Sequence, residues 1–197
     1  MKQSKPDPKT YLTMQKKYGI IPAKVKVTID REKERQTHIK LIKEKTPDIK
    51  NILFLGARHD SEILSFIDNG FTSKGIDCCI ETQHIIQGDA TNLEDYFAKN
   101  EFDLVYACLS LEHMYDINKT LAGIKKISKR GLFAVLPLTR TTSRGHPTCF
   151  SVMEKQPKTL DDECLKDFDI FKPLTVEHYS INENIVLFIT YTSAGEI

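Results

Sequence analysis

The hydrophobic residues of the chain occur in short apolar runs that alternate with more polar, helix-like segments. Strands are predicted at 51–55, 73–77, 84–87, 102–108 and 132–136, and helices at 30–45, 60–69, 93–99 and 116–129. Strands that alternate with helices are typical of right-handed crossovers and of a mostly parallel sheet covered by helices on both faces. The pattern therefore predicts an α/β fold.

The C-terminal part has a different pattern. A long polar segment, 139–158, follows Pro137, a helix is expected at 160–167, and apolar runs at 170–179 and 185–191 flank a short turn that contains Asn182 and Asn184. Two apolar runs around such a turn predict an antiparallel hairpin. The polar segment is either a substrate lid or a plain surface insertion.

The residues before the first strand are expected to belong to the same domain as the rest. Residues 1–49 comprise a polar arm, a helix at 11–18 and the Lys/Glu-rich helix at 30–45, and residues 50–197 form the core. A chain of 197 residues fits one domain with a sizeable core.

Composition narrows the class of protein. The 28 basic and 27 acidic residues give a net charge of +1, which argues against nucleic acid or an anionic membrane as a partner. The five cysteines include no C-x-x-C pair, so neither a disulfide framework nor a metal site is expected. The N-terminus lacks the apolar core of a signal peptide, and no apolar run is long enough to span a bilayer. We therefore expect a cytoplasmic protein.

The end of the first strand is the strongest local signal for a ligand site. An apolar run stops at Gly56, and a polar segment that can open a helix follows. At such an edge the unpaired N–H groups and partial positive charge of the helix N-terminus can meet a nucleotide-like ligand. The same junction also occurs for structural reasons alone, so both interpretations stay open.

Four ordered segments resemble the class I S-adenosylmethionine-dependent methyltransferases over roughly residues 50–192. They are Leu-Gly-Ala-Arg at 55–58, Gly-Ile-Asp at 75–77, Gln-Gly-Asp-Ala at 87–90, and Phe-Asp-Leu-Val at 102–105 followed by Leu-Glu-His at 111–113. The resemblance implies a Rossmann-like, mostly parallel seven-stranded sheet with a C-terminal antiparallel hairpin. It also implies S-adenosylmethionine as the cofactor.

The resemblance further implies roles for individual residues. Asp77 would accept hydrogen bonds from both ribose hydroxyls, while Asp89 and the Ala90 N–H would contact the adenine. Main-chain groups beside the methionine part are expected at Gly56, Ala57, Cys108 and Leu109. Each aspartate also has a structural alternative, since Asp77 could cap a loop and Asp89 could cap the following helix.

The glycine turn departs from the usual Gly-x-Gly-x-Gly that follows an acidic residue. Arg58 and Asp60 stand at two glycine positions, and Phe54 stands at the acidic one. The Arg58 guanidinium could bind the methionine carboxylate in a bidentate fork, or it could pair with Glu62 one helical turn later. A Gly-Ala-Arg-x-x-x-Glu pattern also resembles a methyltransferase subgroup in which this variation is normal, so Glu62 joins the candidate cofactor residues.

The remaining motifs indicate which reaction to expect. The chain has neither a dinucleotide-binding Gly-x-Gly-x-x-Gly, nor a phosphate-binding Gly-Lys-Ser/Thr, nor the Pro-Pro segment of enzymes that methylate base amines. His113 is the candidate general base for a hydroxyl acceptor, and a structural hydrogen bond is its alternative role. Tyr115 could stack on a ligand or simply pack.

We therefore expect O-methylation of a small-molecule or glycan-like acceptor. The alternatives are a catalytically silent methyltransferase-like binding module, favoured by the altered glycine turn, and an RNA or protein methyltransferase that docks through the Lys-rich segment 24–45.

Overall fold

The structure of the chain is a computed structural model that describes residues 29–137, 175–181 and 184–190, together with Thr10 and Thr13. The strands are β1 (Asn51–Leu55), β2 (Thr72–Asp77), β3 (Ile85–Gln87), β4 (Phe102–Cys108), β5 (Ser128–Pro137), β6 (Thr175–Ile181) and β7 (Asn184–Thr190). The helices are α1 (Ile29–Lys45), α2 (Asp60–Ile67) and α3 (Ile117–Ile127), with 3-10 segments at Ala90–Asp95 and Leu111–His113.

The strands form one sheet in the order β3-β2-β1-β4-β5-β7-β6. The first five strands pair in parallel, whereas β7 is antiparallel to both β5 and β6. The prediction of a mostly parallel sheet that ends in an antiparallel pair is therefore confirmed. Because the chain proceeds outward from β1 in one direction and from β4 in the other, a crevice is expected between the two strands at their carboxyl ends.

Apolar side chains cover both faces of the sheet. Leu53 and Leu55 belong to one buried cluster and Ile52 and Phe54 to the other, because successive strand residues point to opposite faces. The first face packs against α3 and the 3-10 segment Ala90–Asp95, and the second face packs against α1 and α2. The helical residues in these clusters include Leu93, Leu121 and Ile124 on the first face and Ile39, Ile42, Ile63 and Phe66 on the second.

The predicted helix at 93–99 is wrong. The chain instead forms the 3-10 segment Ala90–Asp95, which has non-helical backbone at Asn92 (φ −126°, ψ 43°). The Asp89 side chain starts this turn early by accepting a hydrogen bond from the Thr91 N–H. Leu93 and Phe97 are buried without a full helix between them. The helix predicted at 116–129 is also shorter than expected, because β5 begins at Ser128.

Several predictions concern parts of the chain outside the described residues. These are the helix at 11–18 apart from Thr13, the segment 139–158 and the helix at 160–167. Among the helices that are described, none combines the length and the apolar content that crossing a bilayer requires.

The contact between α1 and β4 contains a buried polar pair. His38 is 0% exposed, and its Nδ1 lies 2.9 Å from the Tyr106 hydroxyl oxygen. Its ring also packs against Phe133, with 5.2 Å between the ring centroids. Burial lowers the pKa of His38 to about 4, because a charged imidazole would lose its hydration there. The ring is therefore neutral at pH 7.

We expect this burial to make the fold sensitive to acid. The unfolded chain takes up a proton at His38 near pH 6.5, whereas the folded chain resists protonation down to about pH 4. The unfolded state therefore binds more protons between these values, and the free energy of unfolding should fall by on the order of 3 kcal/mol as the pH drops through that window. Urea denaturation of the parent and of His38→Gln from pH 7 to pH 4 measures the difference. Equal pH dependence in the two proteins would contradict this prediction.

Candidate functional site

A cleft lies at the carboxyl edge of the sheet, where the strand order reverses between β1 and β4. It encloses about 550 Å³ when the open space at its mouth is included. The loops after β1, β2, β3 and β4 all contribute to its walls. Of the predicted cofactor residues, Gly56, Arg58, Asp77, Asp89, Ala90 and Leu109 line the cleft, and the candidate base His113 does so too.

The loops after β1 and β4 meet at Gly56. This residue has φ of +71°, and a Cβ added to it would lie 2.8 Å from the Cβ of Ser110. Both the backbone conformation and the close approach therefore require glycine. On the other side of the contact, Leu109 adopts φ of +49°, which is uncommon for a residue with a side chain, and its N–H donates to the Val135 carbonyl at 3.0 Å.

Asp77 ends β2, where it lines the cleft and also caps its own loop. Its carboxylate is 6% exposed and lines the cleft, while Oδ1 accepts a hydrogen bond from the Cys79 N–H at 2.8 Å. Burial raises the pKa of Asp77, and hydrogen bonds from the Cys79 and Ile80 N–H groups together with the charge of Arg58 oppose that rise. A carboxylate has about four acceptor positions, so the loop bonds leave acceptor capacity for a ligand.

Asp89 is the N-cap of the 3-10 segment. Its Oδ1 accepts from the Thr91 N–H at 2.9 Å, and its Oδ2 accepts from the Asn92 side-chain amide at 3.3 Å. Asp89 therefore caps the segment that follows it, which is the structural role that the sequence allowed. Asp89 also borders the cleft, together with Ala90. Contact between these two residues and an adenine ring stays a prediction.

Arg58 brings positive charge to the wall of the cleft. In the part of the chain that the structure describes, no salt bridge joins Arg58 to Glu62, so the helical ion pair allowed by the sequence does not form. The charge of Arg58 instead opposes the rise that burial causes in the pKa of Asp77. A half-buried guanidinium that lines a cleft, and that has no ion pair with a described residue, is suited to an anionic group of a ligand.

Three of the predicted cofactor residues do not line the cleft. Ala57 is buried against Gly75. A Cβ added to Gly75 would lie 2.8 Å from the Cβ of Ala57. Cys108 packs with the cluster on the α1 and α2 face. It lies two residues after Tyr106 in β4, so both side chains point to the same face of the sheet. Glu62 lies in the first turn of α2, where burial raises its pKa against the opposing charge of Arg35.

Other residues of the cleft were missed by the sequence analysis. Ser110 is 5% exposed and lines the wall, yet its Oγ has no hydrogen-bond partner among the described residues. Met114 and Cys78 also line the cleft, as does Tyr115, for which the sequence left the role open. A buried hydroxyl without a partner costs roughly 1–3 kcal/mol, so Ser110 is expected to gain from a ligand that hydrogen-bonds to it.

The chain has similarity to known proteins in both sequence and structure. Residues 65–136 match the family model described as a methyltransferase domain. A 1,6-didemethyltoxoflavin-N1-methyltransferase from Burkholderia thailandensis, solved with bound 1,6-didemethyltoxoflavin and S-adenosylhomocysteine, is similar in structure, with a TM-score of 0.69. The similarity covers 98% of this chain and 94% of that chain at 11% identity. The fold is that of the class I methyltransferases.

Further solved structures share the methyltransferase fold. An S-adenosylmethionine-dependent methyltransferase from Aquifex aeolicus gives a TM-score of 0.54 at 11% identity, covering 84% of this chain and 98% of its own. The [4+2]-cyclase SpnF gives 0.57 at 13% identity, covering 80% and 81% of the two chains. No curated protein matches the sequence. Since a cyclase is among these neighbours, the reaction has to be argued from the site.

Some residues of the cleft lie within the family match and others lie outside it. The match includes Asp77, Asp89 and His113 but begins at residue 65, after the turn that holds Gly56 and Arg58. The part of the cleft within the match supplies hydrogen-bond acceptors for hydroxyl and amine donors. The altered turn supplies a cation. Together they suit a ligand that carries both hydrogen-bond donors and a carboxylate.

We expect the capping role of Asp89 to be separable from its charge. Asp89→Ala should lower the free energy of unfolding by about 1 kcal/mol, because the Thr91 N–H loses its acceptor. Asp89→Asn should remain close to the parent, since asparagine caps about as well as aspartate. Urea denaturation without ligand measures both variants. An equal loss in the two variants would show that the charge, rather than the cap, stabilises this loop.

Proposed function

We propose that the chain is an S-adenosylmethionine-dependent methyltransferase that methylates a hydroxyl of a small-molecule or glycan-like acceptor. The main observation behind this proposal is the cleft in which Asp77, Asp89 and Arg58 line the walls at the point where the strand order reverses. The methyltransferase-domain match and the S-adenosylhomocysteine bound in the Burkholderia thailandensis structure support the choice of cofactor.

The side chains of the cleft fit the groups of that cofactor. Asp77 would accept hydrogen bonds from the two ribose hydroxyls, and Asp89 would accept one from the exocyclic amine of adenine. The Arg58 guanidinium would bind the methionine carboxylate. The unpartnered Ser110 Oγ lies against Gly56, beside the same end of the cleft, and supplies a further polar contact.

The bound cofactor would supply an electrophilic methyl group on a positively charged sulfur. The main task of the protein is then to align the acceptor and exclude water, because in-line displacement requires little further chemistry. A hydroxyl acceptor also has to lose a proton. His113 lines the cleft and is the residue we assign to accept that proton.

The acceptor class is inferred from the chain as a whole. A net charge of +1 makes no strong electrostatic case for nucleic acid, and the base-methylation segment is absent after β4. The Burkholderia thailandensis neighbour was solved with bound 1,6-didemethyltoxoflavin, which supports a small-molecule acceptor. Labelled S-adenosylmethionine incubated with fractionated metabolites would identify the acceptor. Label transfer only to RNA or protein would overturn the acceptor assignment.

Asp77 provides the most direct test of cofactor binding. We expect Asp77→Asn to weaken S-adenosylhomocysteine binding about tenfold to a hundredfold, because a charged acceptor is replaced by an amide that cannot accept from both hydroxyls. Calorimetry measures the dissociation constant. Asp95→Asn is the matched control, since Asp95 is exposed and does not line the cleft. No binding heat in the parent protein would favour a catalytically silent module.

Arg58 is tested with ligands that differ at the methionine end. Arg58→Gln should weaken S-adenosylhomocysteine binding about tenfold or more, because a charge-assisted bond to the carboxylate is lost. Adenosine lacks that carboxylate, so its affinity should not change. Calorimetry with both ligands makes the comparison. A parallel loss for adenosine would mean that Arg58 supports the loop and does not bind the ligand.

A further inference from the structure

Two adjacent thiols lie beside the Asp77 carboxylate. The Sγ atoms of Cys78 and Cys79 are 3.2 Å apart, which is too far for a disulfide but close enough for a hydrogen bond between them. One ligand atom from each of Asp77, Cys78 and Cys79 lies within 4.8 Å of the other two. Both cysteines are half-buried, so the group borders the cleft and remains accessible.

The end of β2 explains how neighbouring side chains come together. Successive residues of a strand point to opposite faces, and this would separate Cys78 from Cys79. The strand ends at Asp77, however, and the chain bends at both cysteines. The bend is held by the Asp77 carboxylate, which accepts the Cys79 N–H at 2.8 Å. The spacing of the cysteines in the sequence gave no indication of a metal site, because it does not reveal this bend.

We propose that Asp77, Cys78 and Cys79 form a binding site for a thiophilic divalent metal ion such as Zn²⁺. Two sulfur ligands and one carboxylate suit a soft or borderline ion, whereas Mg²⁺ and Ca²⁺ prefer oxygen ligands alone. Ligand atoms around a tetrahedral zinc lie about 3.6–3.8 Å apart. The present separations therefore require only small side-chain rotations, and the fourth position is left for water.

Binding at this site requires the thiols to lose protons. Cysteine binds a metal ion as the thiolate. Each metal–sulfur bond then forms as an S–H bond breaks, and the protons go to solvent without any change of oxidation state. The metal affinity should therefore rise with pH, by up to about a hundredfold per pH unit if both thiols release their protons.

The site would also compete with the cofactor, and this consequence rests on the proposed function. Asp77 cannot accept the ribose hydroxyls in the same way while its carboxylate binds a metal. A metal ion should therefore raise the dissociation constant of S-adenosylhomocysteine. Metal binding itself does not require the cofactor, so the two ideas are tested separately.

The experiment uses the full-length chain, reduced with a phosphine and titrated with Cd²⁺, whose thiolate bonds give an ultraviolet absorption band. We expect one Cd²⁺ to bind with this band in the parent and in a variant with Cys108, Cys149 and Cys164 changed to serine. The band should disappear in the Cys78→Ser, Cys79→Ser double variant. Asp77→Asn should retain the band but bind Cd²⁺ at least tenfold more weakly. Circular dichroism verifies that each variant is folded.

The outcomes distinguish this proposal from the proposed function. Unchanged Cd²⁺ stoichiometry and absorption in the Cys78/Cys79 double variant would overturn the metal site, whatever the protein does with S-adenosylhomocysteine. Binding of Mg²⁺ at the same affinity as Cd²⁺ would also overturn it. Cysteine-dependent Cd²⁺ binding without any cofactor binding would preserve the metal site and refute the methyltransferase function.

Discussion

The close contact between Gly56 and Ser110 is the constraint on which the cleft depends. β1 and β4 are neighbours in the sheet, and their following loops must diverge toward helices on opposite faces. The positive φ of Gly56 turns the first loop away, and its lack of a side chain admits the Cβ of Ser110. With any larger residue at 56, one loop would have to move, and the walls that hold Arg58 and Leu109 would move with it.

The two aspartates of the cleft are held in place by their own loops. Asp77 and Asp89 each accept a backbone N–H from their own loop, at 2.8 Å and 2.9 Å. These bonds fix the orientation of both carboxylates before a ligand arrives, so little side-chain freedom has to be lost on binding. Loop capping and ligand recognition are therefore compatible roles, although the sequence analysis treats them as alternatives.

Signals that lie close together in the chain predicted the fold and part of the site. The end of an apolar run located Gly56, and the resemblance to the methyltransferases located Asp77 at the end of the second predicted strand. Ser110 was missed because its position depends on the pairing of β1 with β4, which joins residues about fifty positions apart. The helix at 93–99 was wrong because an Asp at 89 can start a tighter turn, and residue types alone do not distinguish the two. The bend that brings Cys78 and Cys79 together is likewise a three-dimensional feature.

Cofactor binding and metal binding, as proposed, both depend on the single negative charge of the Asp77 carboxylate. Burial disfavours its ionised form, and the Arg58 charge and two loop N–H groups counteract that effect. Either a metal ion or a ligand with hydroxyl donors would compensate further for the loss of hydration. Because both use the same carboxylate, each must weaken the other by the same factor at equilibrium. Under both proposals, a thiophilic ion would therefore weaken cofactor binding through the Asp77 carboxylate alone.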